Sequence, residues 1–202
     1  MNPAKIIAIL RGITPSEVNE IGDALVDAGI RHIEVPLNSP QPFVSIAKLV
    51  ASIGDQAILG AGTVMTLEQC QRIADVGGKL VVSPHGNPMM IRRSLDLGLV
   101  PVPGFATPTE AFNCIAAGAK HLKLFPGGAL GYQMPKSLQA VLPADIHLYA
   151  VGGVTLSNAR TWLANGVSGL GIGSGLYRPG DTPQEVFRKA REFVSLIKQG
   201  EQ

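Results

Sequence analysis

The sequence predicts an α/β chain folded as a single-domain (β/α)8 TIM barrel spanning residues 1–202, and three observations carry that prediction. Eight apolar runs of strand length recur at near-regular intervals. Each leads through a polar or Gly/Pro turn into an amphipathic stretch, and glycine repeatedly marks the return to the next run. Strands alternating with helices specify parallel pairing with right-handed crossovers, and eight such units in 202 residues favour closure into a barrel with short loops. An open doubly wound sheet is the alternative. It has little support, because no Gly-x-Gly-x-x-Gly follows the first run and no acidic residue is placed to hold a ribose.

Taken in order, the expected strands are 5–10, 31–35, 57–61, 79–83, 99–103, 121–125, 147–151 and 168–172. Helical periodicity covers 17–28, 42–53, 67–76, 89–97, 109–117 and 183–197, where apolar residues recur with a spacing of three and four. Gly29, Gly54, Gly77, Gly98, Gly118 and Gly166 stand where a helix hands over to a strand, the position at which glycine adopts the left-handed conformation cheaply.

Composition narrows the function classes. With 46% hydrophobic residues and a mean hydropathy of +0.23, the chain can fill a sizeable core. Its 24 Gly and 15 Pro show no tandem period, so they read as punctuation between elements rather than as disorder. The formal charge of +2 comes from scattered Lys and Arg, which argues against nucleic acid as a partner. Cys70 and Cys114 are not in a Cys-x-x-Cys arrangement and fall in helical segments, so core packing explains them better than a disulfide or zinc site. No run approaches a membrane span, and the opening apolar stretch is too short for a secretory segment. A soluble, cytoplasmic protein with no membrane association is expected.

In a (β/α)8 barrel the active site lies at the C-terminal ends of the strands, so inward polar residues at that end are the candidates. They are Arg11, Glu34, Asn38, Thr63, Ser83-Pro84-His85, Lys123, Gly152-Gly153 and Gly173-Ser174-Gly175. Strand alternation turns the neighbours of Glu34 and Lys123 toward the outer helices and the two charges into the barrel. A buried ion pair kept for structure is one reading. It is a weak stabiliser, since desolvating both ions costs several kcal/mol that their attraction only roughly offsets. Imine chemistry is the other reading: a buried lysine has a lowered pKa and presents a neutral amine, and a nearby glutamate can shuttle protons. A negative glutamate raises the lysine pKa, however, and which effect prevails is left open at this level. Gly152-Gly153 and Gly173-Ser174 end strands seven and eight, where backbone N–H groups of many barrels cradle a phosphate, although glycine also simply permits tight turns. Of four histidines, His121 and His147 begin strands, His32 is one layer deeper and His85 is in an upper loop where it could border a ligand, a poor basis for a metal centre.

With these residues in place, the chain resembles the 2-keto-3-deoxy-6-phosphogluconate and 6-phosphogalactonate aldolase family over essentially its whole length. The resemblance is carried by Ala8-Ile9-Leu10-Arg11-Gly12, Ile33-Glu34-Val35-Pro36-Leu37-Asn38-Ser39, Gly60-Ala61-Gly62-Thr63-Val64, Ser83-Pro84, Pro103-Gly104, Leu122-Lys123-Leu124-Phe125-Pro126, Ala150-Val151-Gly152-Gly153-Val154 and Gly171-Ile172-Gly173-Ser174. It implies a class I lyase, with Lys123 as the Schiff-base residue and Glu34 as proton donor and acceptor. It further implies that Thr63 and Pro84 line the pyruvate end, that Phe125 packs beside the lysine, and that Gly152, Gly153, Gly173 and Ser174 bind phosphate. No cofactor and no metal are implied, the substrate is a phosphorylated 2-keto-3-deoxy sugar acid, and the family tends to homotrimers.

Asn38 and Val151 depart from the phosphogluconate branch, where Arg and a hydroxyl residue are frequent, and resemble the phosphogalactonate branch. Arg11 would then supply the cation for the substrate carboxylate. Val151 would remove a hydroxyl from a wall facing the C4 and C5 hydroxyls, which bears on the C4 configuration. The implied reaction is cleavage of 2-dehydro-3-deoxy-6-phosphogalactonate to pyruvate and glyceraldehyde 3-phosphate, in galactonate catabolism. The phosphogluconate epimer as main substrate, a phosphosugar isomerase or epimerase, and a non-catalytic phosphometabolite-binding barrel are the alternatives. The first strand begins almost at once, leaving open what fills the lower end of the barrel.

Overall fold

Parallel strands and peripheral helices alternate through the computed structural model, which describes residues 5 to 199. The strands are β1 (Ile6–Ile9), β2 (His32–Pro36), β3 (Ile58–Gly62), β4 (Leu80–Val82), β5 (Val100–Val102), β6 (Gly104–Phe105), β7 (His121–Leu124), β8 (His147–Val151) and β9 (Gly169–Ile172). They lie in the order β5-β4-β3-β2-β1-β9-β8-β7-β6. Because β5 and β6 are consecutive in the chain and separated only by Pro103, the two ends of that order are one stave and the barrel closes. The lower part pairs with β4 and the upper part with β7, where the Lys123 N–H donates to the Pro103 carbonyl at 2.8 Å. The fifth strand thus runs beyond the expected 99–103, and Lys123 lies on the sixth stave as expected.

The outer ring holds α1 (Val18–Asp27), α2 (Pro42–Ile53), α3 (Leu67–Asp75), α4 (Pro88–Asp96), α5 (Pro108–Ala116), α6 (Gly127–Leu130), α7 (Gln133–Gln139), α8 (Leu156–Ala164) and α9 (Pro183–Lys198). Four begin with a threonine capping box: Thr66 with Gln69, Thr107 with Glu110, Thr155 with Asn158 and Thr182 with Glu185. Gly29, Gly77, Gly98, Gly118 and Gly166 all have positive φ after their helices. Gly54 does not: its φ is −65°, so α2 ends in a right-handed turn, and what confines that position is the Val50 carbonyl, which an added Cβ would overlap. The helix closed by Gly166 is α8. The short α6 and α7 were not expected, because Gly127, Gly128, Gly131 and Pro135 obscure a helical period.

Alternation decides what each strand residue faces. Ile33, Val35, Leu122, Leu124, Leu148, Ala150, Leu170 and Ile172 belong to the large core between strands and helices, which also holds the unpaired, fully buried Cys70 and Cys114. Ile7, Ile9, Leu80, Val82, Val102, Tyr149 and Val151 form a separate cluster inside the barrel. At its lower end, His121 stacks on His147 with ring centroids 5.2 Å apart, and His121 Nδ1 lies 3.0 Å from the Tyr149 hydroxyl. Buried His32 begins β2. Side chains thus fill the lower end, and the open space is above. Among the described residues no helix is long and apolar enough to cross a membrane.

Candidate active site

The upper barrel opens into a pocket of about 340 Å³ lined by Arg11, Glu34, Thr63, Pro84, Lys123, Phe125, Val151, Gly152, Gly153, Gly173 and Ser174, whereas the candidates Asn38, Ser83, His85 and Gly175 do not line it. The lining residues come from seven of the eight staves and meet only through barrel closure. Ile9, Val154, Thr155 and Gly171 also line it and were missed. Strand alternation turns Ile9 and Gly171 inward, but neither carries a polar group that would mark a site.

Lys123 and Glu34 are 6% and 2% exposed, a burial that charged side chains rarely reach without a partner. Yet no hydrogen bond or ion pair joins them, and Glu34 Oε2 is buried with no hydrogen-bond partner. This is not the arrangement of a structural salt bridge. Burial pushes the Glu34 carboxyl well above the usual carboxylate range, against the opposing pull of Lys123 and then Arg11. Burial likewise lowers the Lys123 pKa and outweighs the raising effect of Glu34, which resolves the contest left open by the sequence. The Lys123 Nζ lies 4.4 Å from the Phe125 ring centroid, so the amine approaches an apolar wall on one side.

Arg11 stands at the rim. Its Nη1 donates to Asn38 Oδ1 at 2.5 Å and its Nη2 to Thr63 Oγ1 at 3.4 Å, bridging the loops that follow β1, β2 and β3. Ser39 supports the same corner by accepting from the Gly12 N–H at 2.9 Å. Thr63 has φ of +56°, a strained conformation for a β-branched residue, of the kind that costs on the order of 1–3 kcal/mol and collects at functional sites. Opposite the rim, Gly152 and Gly153 have φ of +95° and +76°, which their turn itself requires to be glycine. Gly173 differs. It has no left-handed φ, and the nearest atom to an added Cβ would be Ile9 Cβ at an ordinary 3.8 Å. The protein itself does not require glycine there, and its bare backbone leaves space in the pocket.

Val151 owes its place to Gly171 across the β8–β9 pair, since a Cβ on Gly171 would meet Val151 Cγ2 at 2.6 Å. His85 is exposed and does not line the pocket, so the structure gives no support to its bordering a ligand there. Among the described residues no group of three or more His, Cys, Asp or Glu is placed to hold a metal ion.

The pocket thus combines a buried lysine, a buried glutamate with raised proton affinity and a glycine wall. Residues 1–185 match the family described as KDPG and KHG aldolase. The chain belongs to that family. Over 197 residues it is 46% identical to the 2-dehydro-3-deoxy-6-phosphogalactonate aldolase of Escherichia coli (strain K12), covering 98% of this chain and 96% of the relative. The probable 2-dehydro-3-deoxy-6-phosphogalactonate aldolase of Rhizobium meliloti (strain 1021) is 45% identical over 185 residues, covering 92% and 87%. A solved structure described as native KDPGal superposes with a TM-score of 0.96 at 44% identity, over all of this chain and 98% of the other. The aldolase family membership and the barrel therefore agree.

Proposed function

We propose that this KDPG/KHG-family member is a class I aldolase that cleaves 2-dehydro-3-deoxy-6-phosphogalactonate to pyruvate and glyceraldehyde 3-phosphate. The observation that carries the reading is Lys123, buried in the pocket without an ion-pair partner and with its amine pKa lowered. Its neutral amine attacks the C2 ketone, and loss of water gives the imine. The C4 hydroxyl then gives up its proton, the C3–C4 bond breaks, and its electrons enter an enamine on the pyruvate carbons. Glu34 carries protons: it takes the one released and returns one to C3, after which hydrolysis frees pyruvate and Lys123. Arg11, held by Asn38, faces the carboxylate end together with Thr63 and Pro84. Gly152, Gly153, Gly173 and Ser174 receive the phosphate.

Borohydride added with pyruvate should give an intact-mass pyruvyl adduct that Lys123→Arg abolishes; an adduct that survives the substitution removes the assignment. Val151 and Asn38 support the galacto epimer, as do the names of the two relatives. Equal kcat/KM for the two C4 epimers would remove that preference. Free pyruvate as product separates this reaction from an isomerase, which releases none.

The chain acts as one domain in the cytoplasm, a setting consistent with two buried free cysteines. It also assembles as a homo-oligomer, a trimer by family resemblance. Exposed Met65, Leu67, Met89 and Phe112 fall on the successive units that carry α3, α4 and α5, an apolar run that water disfavours. Light scattering should give a multiple of the 21.2 kDa chain mass, reduced by Met89→Glu; a monomeric parent protein would refute the assembly.

A further inference from the structure

We propose that Gly62 is the positioning residue for Glu34: the missing side chain on β3 is the seat in which the carboxylate rests. The proposal rests on the reading of Glu34 as the proton carrier and extends it to a residue that makes no contact through a side chain of its own. Glu34 is on β2 and its Cα pairs with Gly60, while Gly62 pairs with Pro36 one step higher. The Glu34 side chain therefore reaches diagonally upward across β3. An ideal Cβ built on Gly62 would overlap Glu34 itself, and the three nearest atoms are its Oε2, Cδ and Oε1.

Two further observations separate this from an ordinary need for glycine. First, Gly62 has no left-handed φ, so its backbone accepts alanine without strain. Gly60, two residues earlier, is instead confined by the Leu80 backbone, a need imposed by strand packing. Second, no hydrogen bond fixes the Glu34 carboxyl, and its Oε2 is buried without a partner. Packing is then what sets its position, and the carboxyl occupies the space above Gly62 that a side chain there would fill. A carboxyl held by shape rather than by hydrogen bonds stays free to gain and lose a proton, which a shuttle requires.

The test compares two reactions of pyruvate with the full-length protein: borohydride trapping, which reads imine formation, and exchange of the methyl protons for deuterium, which reads the proton transfer. Gly62→Ala is expected to trap pyruvate within about twofold of the parent rate while exchange falls about 100-fold, the usual cost of misplacing a reacting group by an ångström. In Gly62→Ala/Glu34→Ala the new methyl takes the space the carboxylate vacated, so exchange should be no slower than in Glu34→Ala alone. Exchange near the parent rate in Gly62→Ala, a matched fall in trapping and exchange, or independent losses in the double variant would each overturn the proposal. If Gly62→Ala does not fold, the double variant is read instead: it should fold, and its failure to do so counts against the idea equally. A parent protein that traps no pyruvate would sink the Lys123 reading, a result distinct from any of these.

Discussion

Lys123 and Glu34 each carry a charge-bearing group into a barrel interior where no counter-charge neutralises it directly, and their altered proton affinities are the consequence. For Glu34 the pKa rises to about 7, with burial as the main cause. If its carboxylate takes the methyl proton, pyruvate exchange at subsaturating concentration should climb about tenfold per pH unit below pH 7 and level off above it. Glu34→Gln should flatten that limb and lower the plateau by about 100-fold or more. A parent profile that is flat from pH 5 to pH 7 would assign the proton to another group. Both residues were legible from sequence because strand alternation alone turned them inward. Gly62 was not: its role depends on a diagonal approach between neighbouring strands, and that needs the register, which no single segment contains.

At the scale of elements, the two glycine pairs that looked alike in sequence separate into different kinds. Gly152 and Gly153 are required by a turn with positive φ, whereas Gly173 is bare although the fold would admit a methyl group. Gly173→Ala should therefore melt within a few degrees of the parent, since surface-like substitutions without strain stay within about 0.5 kcal/mol. Its KM for the phosphorylated substrate should rise roughly tenfold or more, while pyruvate trapping, which involves no phosphate, stays near the parent rate. Equal effects on the two would place the glycine away from the phosphate. Strand positions were readable throughout because short apolar runs bounded by glycine and proline leave little choice. The break at Pro103 was not, since it arises where one stave must change partners to close the barrel. The elements α6 and α7 were hidden for a different reason: four and seven residues rich in glycine or proline fold there through contacts with β8 and the core, not through propensity.

Over the whole molecule, closure by nine strand segments creates a lower end sealed by side chains, and that seal contains imidazoles. His32 and His121 are buried, and burial lowers both pKa values from 6.5 to about 4, with His147 adding to the effect at His121. A histidine whose folded pKa lies below its unfolded value leaves the unfolded state binding more protons between the two, so stability present above pH 6.5 is lost as pH falls toward 4. Each contributes a loss of up to about 3 kcal/mol, at 1.36 kcal/mol per unit. Glu34 works the other way, since its raised pKa returns stability as pH falls from about 7 to 4.5, and it offsets about one of the two histidines. The net prediction is a fall in melting temperature between pH 6.5 and pH 4.5. His32→Leu discriminates the cause. Its imidazole Nε2 has no hydrogen-bond partner, so the substitution should cost little at pH 7 while shrinking the acid loss measurably. An acid loss as large in His32→Leu as in the parent would move the weakness to carboxylate pairs outside the barrel, such as the partly buried Asp181 with Lys189. It would also mean that the barrel floor tolerates charge far better than its burial implies.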